Sequence, residues 1–386
     1  MEEMYYYWLH NVPGIGRISF QKILKYMTPE ELYKCNLEKT SEFLTKKQRE
    51  SIEQSKKNWD ILKEWEMLKR RSINLLIYGK ENYPQKLSEI CDPPPLLYHK
   101  GKADILDKPS VAVIGARACS HYGSLAAKEL GRELAAVGIV VVSGMARGID
   151  GICQWASLEN NGESIGVLGS GVEVCYPPEN KGLFERLQTE GCLVSENPPC
   201  TSPSPGLFPL RNRIISGLAD VVVVVESREK SGTLITVDMA LEQGKEVYAI
   251  PGRITDSVSR GCNRLIKQGA GLILSPREFI EEICPMLKMK YQKMEKENPT
   301  VLQTQNQNVT TMIGLQLTQE EKRILKILDV SLKTIEEIYQ MAKIECPGIT
   351  ISKIMEIILE LQLKNVIKEE SGYYGLSSRL SYEIEA

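Results

Sequence analysis

Short glycine-bearing segments with one or two cations recur through the middle of the chain. The first is Gly115-Ala116-Arg117-Ala118-Cys119-Ser120-His121-Tyr122-Gly123, between an apolar run and a helical pattern. A turn from strand to helix presents free backbone N–H groups and the positive helix end, and anions bind there. Glycine allows close approach, and Arg117 adds a bidentate phosphate donor. A tight turn with a surface arginine explains the same residues equally well. The second segment, Ser143-Gly144-Met145-Ala146-Arg147-Gly148-Ile149-Asp150, repeats the pattern, with Asp150 read as a helix cap rather than a catalytic carboxylate. The third runs from Gly169-Ser170-Gly171 to Lys181. Three such loops on one sheet edge would form a joint anion-binding rim, and their repetition says more than any one of them.

Three further segments bear on the same chemistry. Phe208-Pro209-Leu210-Arg211-Asn212-Arg213 places an aromatic ring beside two cations and an amide. The ring can stack on a base, worth about 1–3 kcal/mol, while arginine holds phosphate. Phenylalanine is usually buried, so the residues alone favour a core role for Phe208, and Arg213 has the alternative of turning inward to brace the loops. Lys230-Ser231-Gly232-Thr233 resembles another anion-receptive helix start, and Arg260–Lys267 adds cations near a later one that have solvent as their alternative. Near the start, Gly14 and Gly16 in Val12-Pro13-Gly14-Ile15-Gly16-Arg17 suit the turn of a helix-hairpin-helix module, or a plain helix–helix turn.

Other chemistries find no support. The loops lack the Gly-x-Gly-x-x-Gly spacing of dinucleotide sites and the Gly-Lys-Ser/Thr ending of a Walker A loop. His121 is the only histidine of the central region, and its sequence neighbour Ser120 does not make a triad. With three histidines in all and no Cys-x-x-Cys pair, no metal site and no cofactor are expected.

The elements that must position these loops read as an α/β fold. Val111–Ile114, Ile139–Val142, Ser164–Leu168, Leu193–Val194, Val221–Val225, Val247–Ile250 and Leu272–Leu274 are short apolar runs, mostly β-branched, alternating with helical segments. Continuous apolar runs are how strands buried on both faces read, so a mostly parallel, doubly wound sheet is expected over 101–290. Residues 1–100 read as a mostly helical domain, ended near Pro93-Pro94-Pro95. The polar stretch about Gln303–Asn308 marks 291–316 as a linker. Helical patterns at Glu320–Leu328, Ile335–Met341 and Thr350–Leu363, then a hairpin of Val366–Glu369 and Tyr373–Leu376, outline a winged helix over 317–386.

Composition narrows the function classes. Among 386 residues, 42% are hydrophobic and 25% charged, the mix of an ordinary globular protein. With 48 Lys+Arg against 50 Asp+Glu, nucleic-acid binding requires locally concentrated cations. No apolar run approaches the roughly 20 residues of a membrane helix. The ten scattered cysteines and the acidic start Met1-Glu2-Glu3, without a signal-peptide pattern, lead us to expect a reduced, cytoplasmic protein with no membrane partner.

The segments GARACSHYG, SGMARGID, GSGVEVCYPPEN, SENPP, FPLRNRIISGLAD, SGTLITVDMALEQGKEVYAIPG and GCNRLIKQGA, in this order over about 105–275, resemble the DNA-processing protein A family (DprA, also called Smf). The resemblance implies an extended Rossmann-like core that binds single-stranded DNA, forms a homodimer and loads the RecA recombinase during natural transformation. It implies a SAM-like N-terminal extension and a winged-helix C-terminal appendage. By matching position, Arg117, Ser120 and Gly123 fall in the first DNA-phosphate loop. Phe208, Arg211, Asn212 and Arg213 fall in the block lining the DNA pocket, and Lys230 to Thr233 in a further loop. This places Phe208 at the ligand rather than in the core. Some relatives have a basic residue before that phenylalanine or beside the Tyr-Pro of the third loop; here Pro205-Gly206-Leu207 and Pro178 stand there, and Lys181 is the candidate substitute.

The expectation is therefore a single-stranded DNA-binding protein and not an enzyme. The alternative is a nucleotide or nucleotide-sugar hydrolase of the lysine-decarboxylase-like Rossmann group, whose Pro-Gly-Gly-x-Gly-Thr turn finds only a partial echo in Ser231-Gly232-Thr233. A weaker third reading is a scaffold acting through protein contacts. The candidate recognition helix Thr350–Leu363 carries Lys353 but also Glu356 and Glu360, which argues against specific duplex reading.

Overall fold

The computed structural model describes residues 2–297, 324, 333–345, 349–363, 367–370 and 373–376. The chain divides into two compact units, Met1–Leu287 and Lys288–Ala386.

The first unit opens with helices α1 (Glu3–His10), α2 (Arg17–Leu24), α3 (Pro29–Lys34), α4 (Lys46–Asn58) and α5 (Ile61–Arg70). Thr28 and Thr45 start α3 and α4 with reciprocal capping boxes to Glu31 and Gln48, and the Asp60 side chain caps α5. Residues 1–100 are mostly helical, but they also contain two strands that the sequence reading lacks. Asn74–Ile77 (β1) and Leu96–Gly101 (β2) are strands on either side of the short helix α6 (Gln85–Ser88). Leu75, Leu76, Leu96, Leu97 and Tyr98 are buried, and the three prolines before β2 cannot continue a helix, so the chain leaves them extended.

The seven apolar runs fall on strands, the last only at Leu272: β3 (Ser110–Ile114), β4 (Val140–Ser143), β5 (Ser164–Val167), β6 (Cys192–Ser195), β7 (Val221–Val224), β8 (Glu246–Ala249) and β9 (Gly271–Leu272). Between them run α7 (His121–Ala136), α8 (Ile149–Glu159), α9 (Lys181–Leu187), α10 (Leu207–Leu218), α11 (Gly232–Glu242) and α12 (Arg260–Lys267), and α13 (Pro276–Glu297) follows β9. The sheet order is β1-β2-β6-β5-β4-β3-β7-β8-β9. β3 to β9 pair in parallel, and β2 is antiparallel to both β1 and β6. The chain therefore winds one way from β3 and returns to β3's other side at β7. That reversal is the topological switch point, and ligands of such sheets bind outside the carboxyl ends of the strands there.

One core cluster joins Trp8, Phe20, Ile23, Leu32 and Ile52 of the helices to Leu75 and Tyr98 of β1 and β2 and to Leu187 and Leu193. The first unit thus runs on to Leu287 without a break at residue 100. No helix among the described residues is long and apolar enough to cross a membrane.

The second unit contains β10 (Lys333–Thr334), α14 (Ile335–Glu345), α15 (Ile351–Leu363), β11 (Ile367–Glu370) and β12 (Tyr373–Leu376), with antiparallel order β10-β12-β11. Ile338, Ile354, Ile357, Leu361 and Ile367 form its core. Apart from Ile324, the expected helix Glu320–Leu328 lies outside the described residues, as does most of the expected linker.

Candidate nucleic-acid interface

The turns after β3, β4, β5 and β7 meet at the carboxyl edge of the sheet. The Ile149 N–H donates to the Ala116 carbonyl at 3.3 Å, joining the second turn to the first. Gly148 sits there at φ +74°, and a Cβ would come within 2.3 Å of the Ala116 oxygen. The Asn180 amide donates to the Met145 and Ala146 carbonyls at 2.8 and 3.0 Å, joining the third turn to the second. Across the switch point, the Thr233 hydroxyl donates to the Gly115 carbonyl at 3.3 Å. Gly171 is pressed against Pro198, Cys200 and Thr201, so the turn after β6 supports the third.

Phe208, in the first turn of α10, stands where these turns come together. Its ring lies against Gly169, where a Cβ would be 2.8 Å away, and 5.4 Å from the ring of Tyr176. The Arg117 guanidinium lies 5.6 Å from the Phe208 centroid, within cation–π range. Arg117 and Tyr176 are exposed and Phe208 is half-buried. Phe208 is neither free on the surface nor core; the residues alone favoured core, and their matching position favoured the ligand.

Other residues of the fourth segment turn inward. Arg211 is buried, and its Nη1 donates to the Gly144 carbonyl at 2.8 Å and to the Val167 carbonyl. Burial pushes its pKa down to about 10, against the opposing pull of Asp150. Asp150 is itself raised by burial, which the Arg211 charge resists. Its carboxylate accepts the Gly144 N–H at 3.2 Å, while Gly148 is the residue that starts α8. Asp150 is thus a buried partner of the second turn and not a helix cap. A Cβ on Gly144 would strike Arg211 at 2.4 Å, and the Ser143 hydroxyl donates to the Val113 carbonyl. Ser143 and Gly144 are buried beneath the rim. Arg213, also buried, donates to both Glu196 carboxylate oxygens at 2.7 and 2.8 Å and to Asp92 at 3.2 Å. It takes the inward role, because a buried guanidinium must find carboxylates or carbonyls. Asn212 is half-buried and accepts from the Arg211 Nε at 3.4 Å.

The start of α7 also departs from expectation. Ser120 caps the helix by accepting the Gly123 N–H, but Glu226, buried at the end of β7, already occupies this position. Its carboxylate accepts the Ser120 N–H at 2.8 Å and the Ser120 hydroxyl proton. A Cβ at Gly123 would meet it at 2.4 Å. Ser120 therefore holds the protein's own carboxylate, and Gly123 leaves room for it.

Of the remaining candidates, Arg147 pairs with Glu179 on the surface, and Lys181 lies 3.8 Å from Glu185 one helical turn on. Lys230 is exposed; Ser231 caps α11 by accepting the Thr233 N–H, and Gly232 is exposed beside it. Gly14 at φ +81° and Gly16, the residue before α2, form an exposed turn, and the next residue, Arg17, pairs with Asp92, the partner of Arg213. Sequence reasoning missed Glu226, Glu196, Asp92 and Tyr176. The only signal for Glu226 was an acid directly after an all-valine strand. No group of three or more His, Cys, Asp or Glu fit to hold a metal occurs among the described residues.

A mostly parallel sheet whose turns are tied together at the switch point, with an arginine over an aromatic ring there, defines a protein of the Rossmann-like class. The family model described as DNA recombination-mediator protein A matches residues 74–284, more than half of the chain, and the chain belongs to that family. The DNA processing protein DprA of Streptococcus pneumoniae is 44% identical over 200 residues, covering 52% of this chain and 71% of that protein. Protein Smf of Synechocystis is 33% identical over 307 residues, covering 75% and 77%. The X-ray structure of the S. pneumoniae protein superposes with a TM-score of 0.64 at 34% identity, covering 72% of this chain and 97% of that one. DNA processing protein A of Helicobacter pylori, solved for its single-stranded DNA binding mode, gives 0.51 at 32% identity, covering 55% and 96%.

Proposed function

We propose that this chain binds single-stranded DNA along the carboxyl edge of its sheet, without altering it chemically, and acts as a recombination mediator on incoming DNA. One observation carries the reading: a solvent-facing guanidinium and two accessible aromatic rings, Arg117, Phe208 and Tyr176, meet where three turns join. Arginine grips phosphate, and the rings offer flat apolar faces to unstacked bases. The H. pylori relative, described for its single-stranded DNA binding, supports the same ligand here. In this reading Arg147, Lys181 and Lys230 supply further phosphate contacts, Gly169 and Gly171 keep the third turn close to the rings, and Arg211 and Arg213 brace the rim from below. The Gly14–Gly16 turn is a further phosphate contact. Homodimerisation, delivery of the strand to RecA and a cytoplasmic location complete the proposal, on the strength of family membership.

The second unit we assign as a winged helix. The order β10-α14-α15-β11-β12 supports that assignment. Ile351, Met355 and Leu359 are exposed along α15, a face better suited to protein contact than to reading bases.

The hydrolase alternative is not favoured. A nucleotide phosphate at the start of α7 would have to displace the buried Glu226 carboxylate. Titrating labelled single- and double-stranded oligonucleotides across a salt series tests the proposal. On strands of about 6 nucleotides, roughly four neutralised phosphates give a slope of log affinity against log salt near −2.8, with single strands preferred. Salt-independent affinity, or equal affinity for duplex, would overturn it.

A further inference from the structure

The rim does not stop at the aromatic cluster. On the other side of the switch point, the turn after β7 and the segment from β8 into α12 carry Arg228, Lys230, Arg253, Arg260, Arg264 and Lys267. All six are exposed, and none makes an ion pair or side-chain hydrogen bond among the described residues. Over 226–231 and 250–269, only Glu229 and Asp256 are exposed carboxylates. In a chain of net charge −2, that is a local concentration of cations.

The strip is continuous with the cluster. Glu226 ties the turn after β7 to Ser120 in the turn after β3. The Gly261 N–H donates to the Ser227 carbonyl at 2.8 Å, and a Cβ at Gly261 would lie 2.8 Å from the Arg228 oxygen, so Arg228 and Arg260 are neighbours. The Asn263 side chain bonds Gly252 through both its N–H and its carbonyl, holding the Arg253 segment against α12. Tyr122, half-exposed, donates its hydroxyl to the Pro251 carbonyl at 2.9 Å and bridges α7 to that segment. β3, β7 and β8 are successive neighbours, so the carboxyl ends of these strands, where the turns begin, lie within about 10 Å of one another.

We propose that the bound strand continues from Arg117 and Phe208 over the switch point onto Arg228, Arg253 and Arg260, with Tyr122 beside its path. This rests on the single-stranded DNA reading above and extends it. The cluster holds a short stretch of strand with its bases engaged, and the strip holds the following phosphates as charge alone. Unpaired arginines on short turns match a sugar-phosphate chain, whose charges repeat regularly and whose bases need not be read.

The experiment compares wild type with the triple variant Arg228→Ala, Arg253→Ala, Arg260→Ala on oligothymidines of about 6 and about 20 nucleotides, by fluorescence anisotropy across a salt series. The variant should bind the short oligonucleotide within about twofold of wild type. On the long one it should lose most of the affinity gained with length, and its salt slope should be shallower by about 2, or 0.7 per lost contact. Replacing the same three arginines by lysine should restore both. If the alanine variant matches wild type in affinity and slope on the long oligonucleotide, the strip does not touch DNA. An acidic protein surface would then be its partner, and the proposal falls. If wild type binds neither oligonucleotide, the single-stranded DNA reading itself fails; a short oligonucleotide held by wild type but released by Arg117→Ala keeps the two apart.

Discussion

Removing the Arg117 guanidinium takes away a group that lies over the face of Phe208, on a side chain that solvent already reaches. Arg117→Ala should therefore change unfolding free energy by no more than about 0.5 kcal/mol, while weakening single-strand affinity and reducing the salt slope by about 0.7. Arg213→Ala should behave in the opposite way. Arg213 is 7% exposed, and its loss leaves Glu196 unpaired in a largely enclosed site. Breaking such a pair costs about 2–3 kcal/mol here, less than for a wholly dry pair because Asp92 keeps access to water. Urea denaturation of the two variants, paired with binding titrations, separates the roles; equal stability losses would refute the distinction. The sequence shows Arg211 and Arg213 on either side of Asn212, and residue type alone cannot say that Arg213 is satisfied internally. That depends on Glu196 and Asp92, 17 and 121 positions away.

At the scale of elements, α10 sorts its side chains by helical geometry. Phe208, in the first turn, reaches the rim, while Arg211 and Arg213 lie a turn further along and are drawn below it by Gly144, Val167 and Glu196. The seven central strands were legible because strands buried on both faces leave unbroken apolar runs. β1 and β2 were not, because four to six residues beside a proline run carry too little periodicity to be told from a loop. Convergence of the turns was legible as repetition, but the glycines that enforce it are unequal. Gly148 takes a left-handed conformation against the backbone of the first turn, so Gly148→Ala meets both strain and collision. It should cost more than about 1 kcal/mol of stability and weaken oligonucleotide binding without removing a cation. Gly232, with no neighbour within 4 Å of a built Cβ, should accept alanine at little cost in stability. Thermal melts of the pair check the contrast.

At the scale of the molecule, the N-terminal helices and the sheet share a core, so a perturbation buried between them reports on the whole first unit. His99 supplies one. It lies in β2, paired with Asn74 on one side and Val194 on the other, and is 6% exposed with an Nδ1 that finds no partner. Burial, helped by the charge of Lys69, lowers its pKa to about 4; burial alone does the same for His10, whose Nδ1 meets the Tyr98 hydroxyl at 2.9 Å. Both rings are neutral in the folded chain, whereas in the unfolded chain they titrate near 6.5. The unfolded state therefore binds more protons as pH falls, so this contribution to stability is complete above about pH 6.5 and is lost between there and about 4. At pH 5 each ring accounts for a loss of about 2 kcal/mol relative to neutral pH. His99→Gln, which cannot take up a proton, should show a smaller fall in unfolding free energy between pH 7 and 5 than the parent chain, whatever its absolute stability. Parallel curves for the two proteins would mean that His99 is already protonated, or already hydrated, in the fold.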